Sequence, residues 1–191
     1  MENLISLTDE ELAKRAIQDK ECFGILAHRY ESKLIAFVRS LTSLPKEDAE
    51  DILQESYIKI YLNLSDFDPA LKFSSWAYRI TRNAATDHIR RKHVRPQVNF
   101  SNLGNDVVET IAADTNLNVS LDHKLLGEHL QTALCGLDIK YQTVLQLYYL
   151  EQKSYTEISD ILACPEATVG TLLSRAKQKI KKLLPQYDQR N

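Results

Sequence analysis

Apolar residues recur at intervals of three and four through most of this 191-residue chain, a spacing that places side chains on one face of an α-helix. One such series is Phe23, Leu26, Ala27 and Tyr30. Glycine and proline, the two residues that most often interrupt helices, occur only five times each. Because a β-rich fold needs many more turns, these features predict an all-α protein.

Local signals mark the starts of several helices. Thr8 and Glu11 have the spacing of a capping box, in which the hydroxyl accepts from the glutamate amide while the carboxylate accepts from the cap amide. Ser154 and Glu157 repeat this spacing. Pro165 suits the first position of the last helix, where its missing N–H costs nothing. After the first helix, the predicted helices span about residues 22–43, 49–64, 74–92, 121–137, 139–150, 154–162 and 165–184.

Residues 97–120 differ in composition from the rest of the chain. Asparagine, aspartate, serine and threonine dominate there, and neither a helical nor a strand period holds. The stretch from Arg95 to His123 contains four acids against one arginine. A segment this long without periodic structure favours two domains over one. We therefore predict two helical domains, residues 1–95 and 121–191, joined by a flexible acidic linker over residues 96–120.

The formal net charge of −2 is unevenly distributed. Six Lys/Arg stand against one acid from Arg79 to Arg95, and five against one from Glu166 to Leu184. Seven acids stand against one lysine from Glu47 to Asp68. Two basic segments indicate two contacts with anionic partners, and the acidic segment indicates a separate partner that accepts negative charge. The alternative is that these charges form solvated helix faces without a partner.

The C-terminal segment has the pattern of a helix-turn-helix: a short helix, a turn at Ala163 and Cys164, and a longer helix with a basic end. In such a unit the second helix enters the major groove of DNA. Hydroxyls of its first turns contact bases or phosphates, and later Lys/Arg neutralise phosphates. A helical hairpin without DNA function has the same pattern. The candidate residues are Thr168, Thr171, Ser174, Arg175, Lys177 and Lys179.

Aromatic residues precede the first basic segment. This combination suits single-stranded nucleic acid, because bases stack on rings while cations hold the backbone. Phe67, Phe73 and Trp76 are at a spacing more typical of core residues, which leaves Tyr78 as the better aromatic candidate. The predicted contact residues are Tyr78, Arg79, Arg82, Asn83, Asp87, Arg90 and Arg91.

Several functional classes lack their sequence signals. No apolar run reaches the ~18–20 residues of a membrane span, and no secretory signal stands at the N-terminus, so we expect a cytoplasmic protein. The three cysteines form no CxxC pair, and the five histidines fall at no metal-ligand spacing. A Gly-rich phosphate loop and a nucleophile elbow are also missing. We therefore expect no enzyme: no catalytic residues, metal, cofactor or small-molecule substrate.

Taken together, these segments resemble a known family. The N-terminal half is similar to conserved region two of the extracytoplasmic-function (ECF) RNA polymerase sigma factors in residues 51–57 (DILQESY), 73–83 (FSSWAYRITRN) and 87–91 (DHIRR). The C-terminal segment resembles region four of the same family, with residues 141–144 (YQTV), 154–158 (SYTEI) and 165–169 (PEATV). The resemblance covers roughly Thr8 to Leu184, and the two modules together are far more specific than a helix-turn-helix alone.

The resemblance implies a role for each segment. In the family, the acidic helix of region two docks on the clamp helices of the polymerase largest subunit, and Asp51, Gln54 and Glu55 match it. The next helix melts the minus-ten promoter element and recognises it as a displaced single strand, and residues 65–72 match the loop that captures a flipped base. Region four recognises the minus-thirty-five element as duplex DNA. The implied partners are core RNA polymerase, promoter DNA in both forms, and an anti-sigma factor.

One departure from the family affects the second helix of the helix-turn-helix. Gly170 and Leu172 stand where family members often carry a basic residue, so fewer bidentate arginine–guanine contacts are available. Recognition of the minus-thirty-five element would then depend more on hydroxyls, phosphate contacts and DNA shape. Ala163 and Ala167 also replace frequent glycines of the family at the turn and the helix start.

Two other functions remain as alternatives. A stand-alone helix-turn-helix regulator would explain residues 121–184 but leave residues 51–91 without a function. The chain could also be a regulator that only binds polymerase. In that case, replacement of Arg82 and Asn83 by alanine would leave transcription unchanged.

Overall fold

A computed structural model of the chain describes residues 4–42, 44–92, 110–111, 113–115, 130, 132–134 and 136–183. Within these ranges the regular structure is helical and no strand is present. The chain divides into two compact units, residues 1–95 with 160–163, and residues 96–159 with 164–191. The predicted all-α, two-domain fold is confirmed, whereas the bounds assigned to the two domains and the linker stay predictions.

In the described residues between 4 and 92, four α-helices pack side by side. The second helix contacts the other three, and the fourth contacts the first and third as well. The core includes Leu12, Leu34, Phe37, Ile52 and Ile60, each at most 1% exposed. The helices are α1 (Asp9–Ala16), α2 (Lys20–Thr42), α3 (Lys46–Leu62) and α4 (Phe73–Lys92), with short 3-10 helices at Leu4–Ser6 and Leu64–Asp66.

The capping box predicted at the start of α1 is confirmed. The Glu11 amide donates to the Thr8 hydroxyl at 3.2 Å, and the Thr8 amide donates to the Glu11 carboxylate at 2.8 Å. These two bonds satisfy amides that have no partner within the helix, so the sequence alone fixes where α1 begins.

The first turn of α4 is capped from a distant part of the chain. α4 has no acidic residue in its first turn, where the amides carry partial positive charge. Glu10 of α1 supplies one, since its carboxylate accepts from the Phe73 amide at 3.0 Å. The α1–α4 contact therefore helps to fix where α4 begins and how its basic face is placed.

Residues 139–183 contain the helix-turn-helix. The helices of this range are α5 (Ile139–Leu145), which continues as a π-helix over Gln146–Leu150, then α6 (Tyr155–Leu162) and α7 (Glu166–Leu183). α5 packs against α7, with Val144 and Val169 fully buried. The capping box at Ser154 is confirmed, with the Glu157 amide 3.2 Å from the Ser154 hydroxyl.

The turn between α6 and α7 contains a residue in left-handed conformation. Ala163 has φ 52°, a region that costs a side-chain-bearing residue roughly 1–2 kcal/mol relative to glycine. The turn is closed by the Cys164 amide, which donates to the Ser159 carbonyl at 3.1 Å. The Ser159 hydroxyl donates in turn to the Cys164 carbonyl at 2.6 Å. These bonds hold the turn in a geometry that alanine does not favour.

We predicted an irregular linker, but the residues of it that the structure describes are mostly helical. Thr110, Ile111, Ala113 and Asp114 have helical backbone, and Ile111 is 2% exposed. Of the helices in the described ranges, none combines the length and apolar character that a membrane crossing needs.

We predict that Glu10→Ala lowers the free energy of unfolding by about 1 kcal/mol, because the Phe73 amide loses its acceptor. Glu10→Gln keeps an oxygen acceptor at the same position and should lose less. Urea denaturation followed by circular dichroism measures both variants. Equal losses in the two variants would contradict a capping role for Glu10.

Candidate nucleic-acid interface

One face of α4 is an aromatic core. The rings of Phe67, Phe73 and Trp76 lie 5.2–5.9 Å apart between centroids, and all three side chains are buried. Edge and tilted contacts at these distances are favourable beyond the area they bury. Their interpretation as core residues is therefore confirmed.

Tyr78 belongs to the same core, which corrects the prediction that it contacts a displaced base. Its side chain is 1% exposed, and its ring centroid lies 4.9 Å from that of Phe37 in α2. No face of the ring is open to a base in this arrangement. The sequence signal misled because an aromatic residue next to a basic segment suits both a core and a stacking platform.

The face of α4 that points away from Tyr78, Ala84 and Ala85 is polar and basic. Arg79, Asn83 and Arg90 lie four and seven residues apart, so they form one row along the helix. Asn83 and Arg90 are exposed, and Arg79 is half-buried. Thr86 lies in the same row, and sequence reasoning missed it although its spacing was available. Arg82 and Asp87 flank the row.

Arg91 contacts α3 rather than this row. Its guanidinium lies 3.5 Å from the carboxylate of Glu55, which also accepts from Lys59 at 2.8 Å. The hydrogen bond from Lys59, followed by the charge of Lys59 and of Arg91, lowers the pKa of Glu55 against the opposing effect of burial. Glu55, one of the predicted polymerase contacts, therefore has its charge partly neutralised within the chain.

The outward stripe of α3 combines polar and apolar residues. Asp51 and Gln54 are exposed as predicted candidates for docking. Ile58 and Leu62 continue the same stripe at helical spacing and are 61% and 71% exposed. Two large apolar side chains open to solvent on one stripe are typical of a protein contact. Sequence reasoning missed both.

The outward face of α7 contains most of the candidates predicted there. Thr168, Thr171, Ser174 and Arg175 are exposed, on the side opposite a fully or almost fully buried stripe. The Thr171 hydroxyl donates to the Ala167 carbonyl at 2.9 Å, which leaves its oxygen as an acceptor. The buried stripe consists of Val169, Leu173, Ala176 and Ile180.

The two lysines predicted on α7 differ in their surroundings. Lys177 binds the carboxylate of Asp114 at 2.8 Å. Lys179 lies over the ring of Tyr141, 5.3 Å from its centroid, and remains exposed. At Gly170, an added Cβ would meet only the ring of Tyr155 at 3.6 Å, so the glycine is not required by packing.

The part of the chain that the structure describes contains no group of three His, Cys, Asp or Glu residues placed to hold a metal ion. The chemistry available at these surfaces is that of guanidinium, ammonium, amide and hydroxyl groups. Such groups bind phosphates and base edges by hydrogen bonds and charge.

Two family models match the chain, one in its N-terminal half and one in its C-terminal half. The sigma-70 region 2 model matches residues 26–95, and the sigma-70 region 4 model matches residues 128–180. The chain is 33% identical to the ECF RNA polymerase sigma factor SigW of Bacillus subtilis, over 87% of this chain and 90% of that protein. It is 31% identical to the ECF RNA polymerase sigma-E factor of Haemophilus influenzae, over 92% and 94% of the two chains.

Solved structures share the fold. CnrH, solved with the cytosolic domain of CnrY, matches with a TM-score of 0.66 and 23% identity, over 93% of this chain and 97% of that one. The sigma factor RpoE of Bartonella quintana, solved with the anti-sigma factor NepR, matches with a TM-score of 0.56 and 20% identity, over 83% and 94%. At these identities the two matches establish the fold alone.

We predict that Tyr78→Ala lowers the free energy of unfolding by about 3–5 kcal/mol, because it leaves a cavity against Phe37. Asn83→Ala, on the exposed face of the same helix, should change it by no more than about 0.5 kcal/mol. Urea denaturation of the full chain measures both. If the two variants were equally stable, the assignment of Tyr78 to the core would be wrong.

Proposed function

The chain belongs to the ECF sigma factors of the sigma-70 family, and we propose that it binds core RNA polymerase and directs promoter recognition and melting at the start of transcription. The observation that supports this best is the combination of a region-two match and a region-four match in one chain. A stand-alone helix-turn-helix regulator is not favoured, because it gives no function to the surfaces of α3 and α4. The site of action would be the cytoplasm, and the chain would catalyse no reaction of its own.

The outward stripe of α3 is the proposed docking surface for polymerase. Asp51 and Gln54 supply polar contacts, and Ile58 and Leu62 supply apolar area beside them. Interfaces commonly combine an apolar centre with a polar rim. Glu55 lies at the edge of this surface, where Lys59 and Arg91 already share its charge.

The basic face of α4 is the proposed contact for the displaced minus-ten strand. The arginines would hold the phosphate backbone, and the Asn83 amide, which both donates and accepts, can pair with a base edge. Melting costs a few kcal/mol per unstacked step, which these contacts must offset. The proposed contact residues are Arg79, Arg82, Asn83, Asp87, Arg90 and Arg91, with Tyr78 as core support for the helix.

The outward face of α7 is the proposed contact for the minus-thirty-five duplex. The N-terminal part of a recognition helix contacts base edges, which places Thr168 and Thr171 nearest the bases. Ser174 and Arg175 follow one turn later. Lys177 and Lys179 lie on the two flanks of the helix, where phosphates of the groove walls would be reached.

An anti-sigma factor is a further proposed partner. The chain shares its fold with a sigma factor that was solved with such an inhibitor. A protein that covers the α3 stripe would compete with polymerase for Asp51 and Gln54, and inhibition would follow from occupancy alone.

We predict that Asp51→Ala/Gln54→Ala reduces chain-dependent transcripts about tenfold or more, equivalent to about 1.4 kcal/mol of lost polymerase binding. The measurement is run-off transcription from a promoter library with core RNA polymerase, with and without the chain. Glu31→Ala, an exposed acid on α2, is the control and should transcribe normally. Absence of any chain-dependent transcript, together with duplex binding by the chain alone, would favour the stand-alone regulator instead.

We predict that Asn83→Ala/Arg90→Ala weakens binding of the polymerase-bound chain to a single-stranded minus-ten oligonucleotide from a promoter selected in that library. Loss of one phosphate contact should also lower the slope of log affinity against log salt by about 0.7. Arg39→Ala removes one exposed arginine from α2 and serves as the control. Unchanged affinity and unchanged transcription would support a regulator that only binds polymerase.

A further inference from the structure

Asp114 lies in the acidic segment between the two predicted domains, and its side chain contacts the unit that contains α7. Its carboxylate accepts from the Tyr149 hydroxyl at 2.7 Å and from the Lys177 ammonium at 2.8 Å. The hydrogen bonds from Lys177 and then Tyr149 lower the pKa of Asp114, so the carboxylate stays ionised at neutral pH. Both charged side chains are partly shielded, with 38% of Asp114 and 27% of Lys177 exposed.

The residues around Asp114 are packed rather than loosely placed. Ile111, one turn earlier, is 2% exposed, and Thr115 is 6% exposed. The Thr115 amide donates to the Ile111 carbonyl at 3.0 Å, which closes a helical turn. Residues 110, 111 and 113–115, called the docked turn below, are therefore held by apolar burial as well as by the ion pair.

The docked turn lies beside residues that are proposed to bind DNA. Asp114 and Thr115 line a cleft of about 370 Å³ together with Ser174 and Lys177 of α7. A carboxylate and a DNA phosphate bind a lysine ammonium in the same way, through charge and an oxygen acceptor. Lys177 cannot make its full contact with both at once.

We propose that Asp114 is an internal competitor of promoter DNA, so that the docked turn must release Lys177 before α7 binds the minus-thirty-five duplex fully. This inference rests on the proposed role of α7 in DNA binding. It adds a regulatory contact within the chain, because any partner that draws residues 110–115 away from α7 would raise the affinity of α7 for DNA.

The first test measures binding of the full chain to a fluorescent duplex that contains the minus-thirty-five element of a promoter selected by run-off transcription. Asp114→Asn removes the charge but keeps an oxygen that can accept from Tyr149. We expect about two- to fivefold tighter binding, the range for release of one partly exposed ion pair. The gain should shrink at high salt, because salt screens the pair.

Two further variants separate competition from a general effect of charge. Asp138→Asn removes the same charge from an exposed residue of the same unit whose side chain makes no capping bond. It should bind the duplex as the unmodified chain does. In a Lys177→Ala background, Asp114→Asn should gain nothing, because the competing pair is already lost. Equal gains for the two aspartate variants, or a gain that persists without Lys177, would overturn the proposal.

A second readout tests the contact without DNA. Hydrogen exchange of the amides at 110–115 should be faster in Asp114→Asn than in the unmodified chain, and adding duplex to the unmodified chain should also raise it. Exchange that stays slow while DNA binds would overturn the proposal. If no variant bound the duplex, alone or with core polymerase, the role of α7 in DNA binding would fail and the competition with it, whereas the exchange measurement would still report on the contact.

Discussion

Packing of Tyr78 against Phe37, with ring centroids 4.9 Å apart, determines which face of α4 points outward. A helix rotates its side chains by about 100° per residue, so fixing one face decides the other. With Tyr78 inside, Asn83 and Arg90 lie about 140° and about 120° away from it around the helix and point outward. The ring of Tyr78, predicted to contact DNA, is thus the reason that these side chains face outward, where the proposed contact with DNA requires them.

The two surfaces proposed to bind polymerase and DNA lie on neighbouring helices and share a salt bridge. Glu55, at the edge of the α3 stripe, contacts Arg91 of α4 at 3.5 Å. Partly exposed pairs of this kind contribute roughly 0–1 kcal/mol, too little to lock either surface. A polymerase group that bound Glu55 would release Arg91 at small cost, and Arg91 would then be available to a phosphate. The geometry therefore allows the two binding events to assist each other without any change of fold.

The sequence predicted the features that depend on nearby residues. Both capping boxes follow from pairs of residues three positions apart. The contacts that it did not predict join residues far apart: Glu10 caps α4 across 63 positions, and Lys177 binds Asp114 across 63 positions. No local pattern specifies such pairs. The error over Tyr78 has another cause, since side-chain chemistry alone does not decide whether an amphipathic aromatic residue faces the core or solvent.

The proposed recognition helix, α7, has few groups that distinguish one base from another. Gly170 presents no side chain, and the Thr171 hydroxyl already donates to its own backbone. Binding must then depend more on phosphate contacts, which contribute affinity but little sequence information. When phosphate contacts carry a larger share of the affinity, the loss of one lysine has a larger effect on occupancy. If Lys177 binds a phosphate as proposed, a single carboxylate beside it would therefore influence promoter binding in this chain more than in a chain whose α7 carried several arginines to the bases.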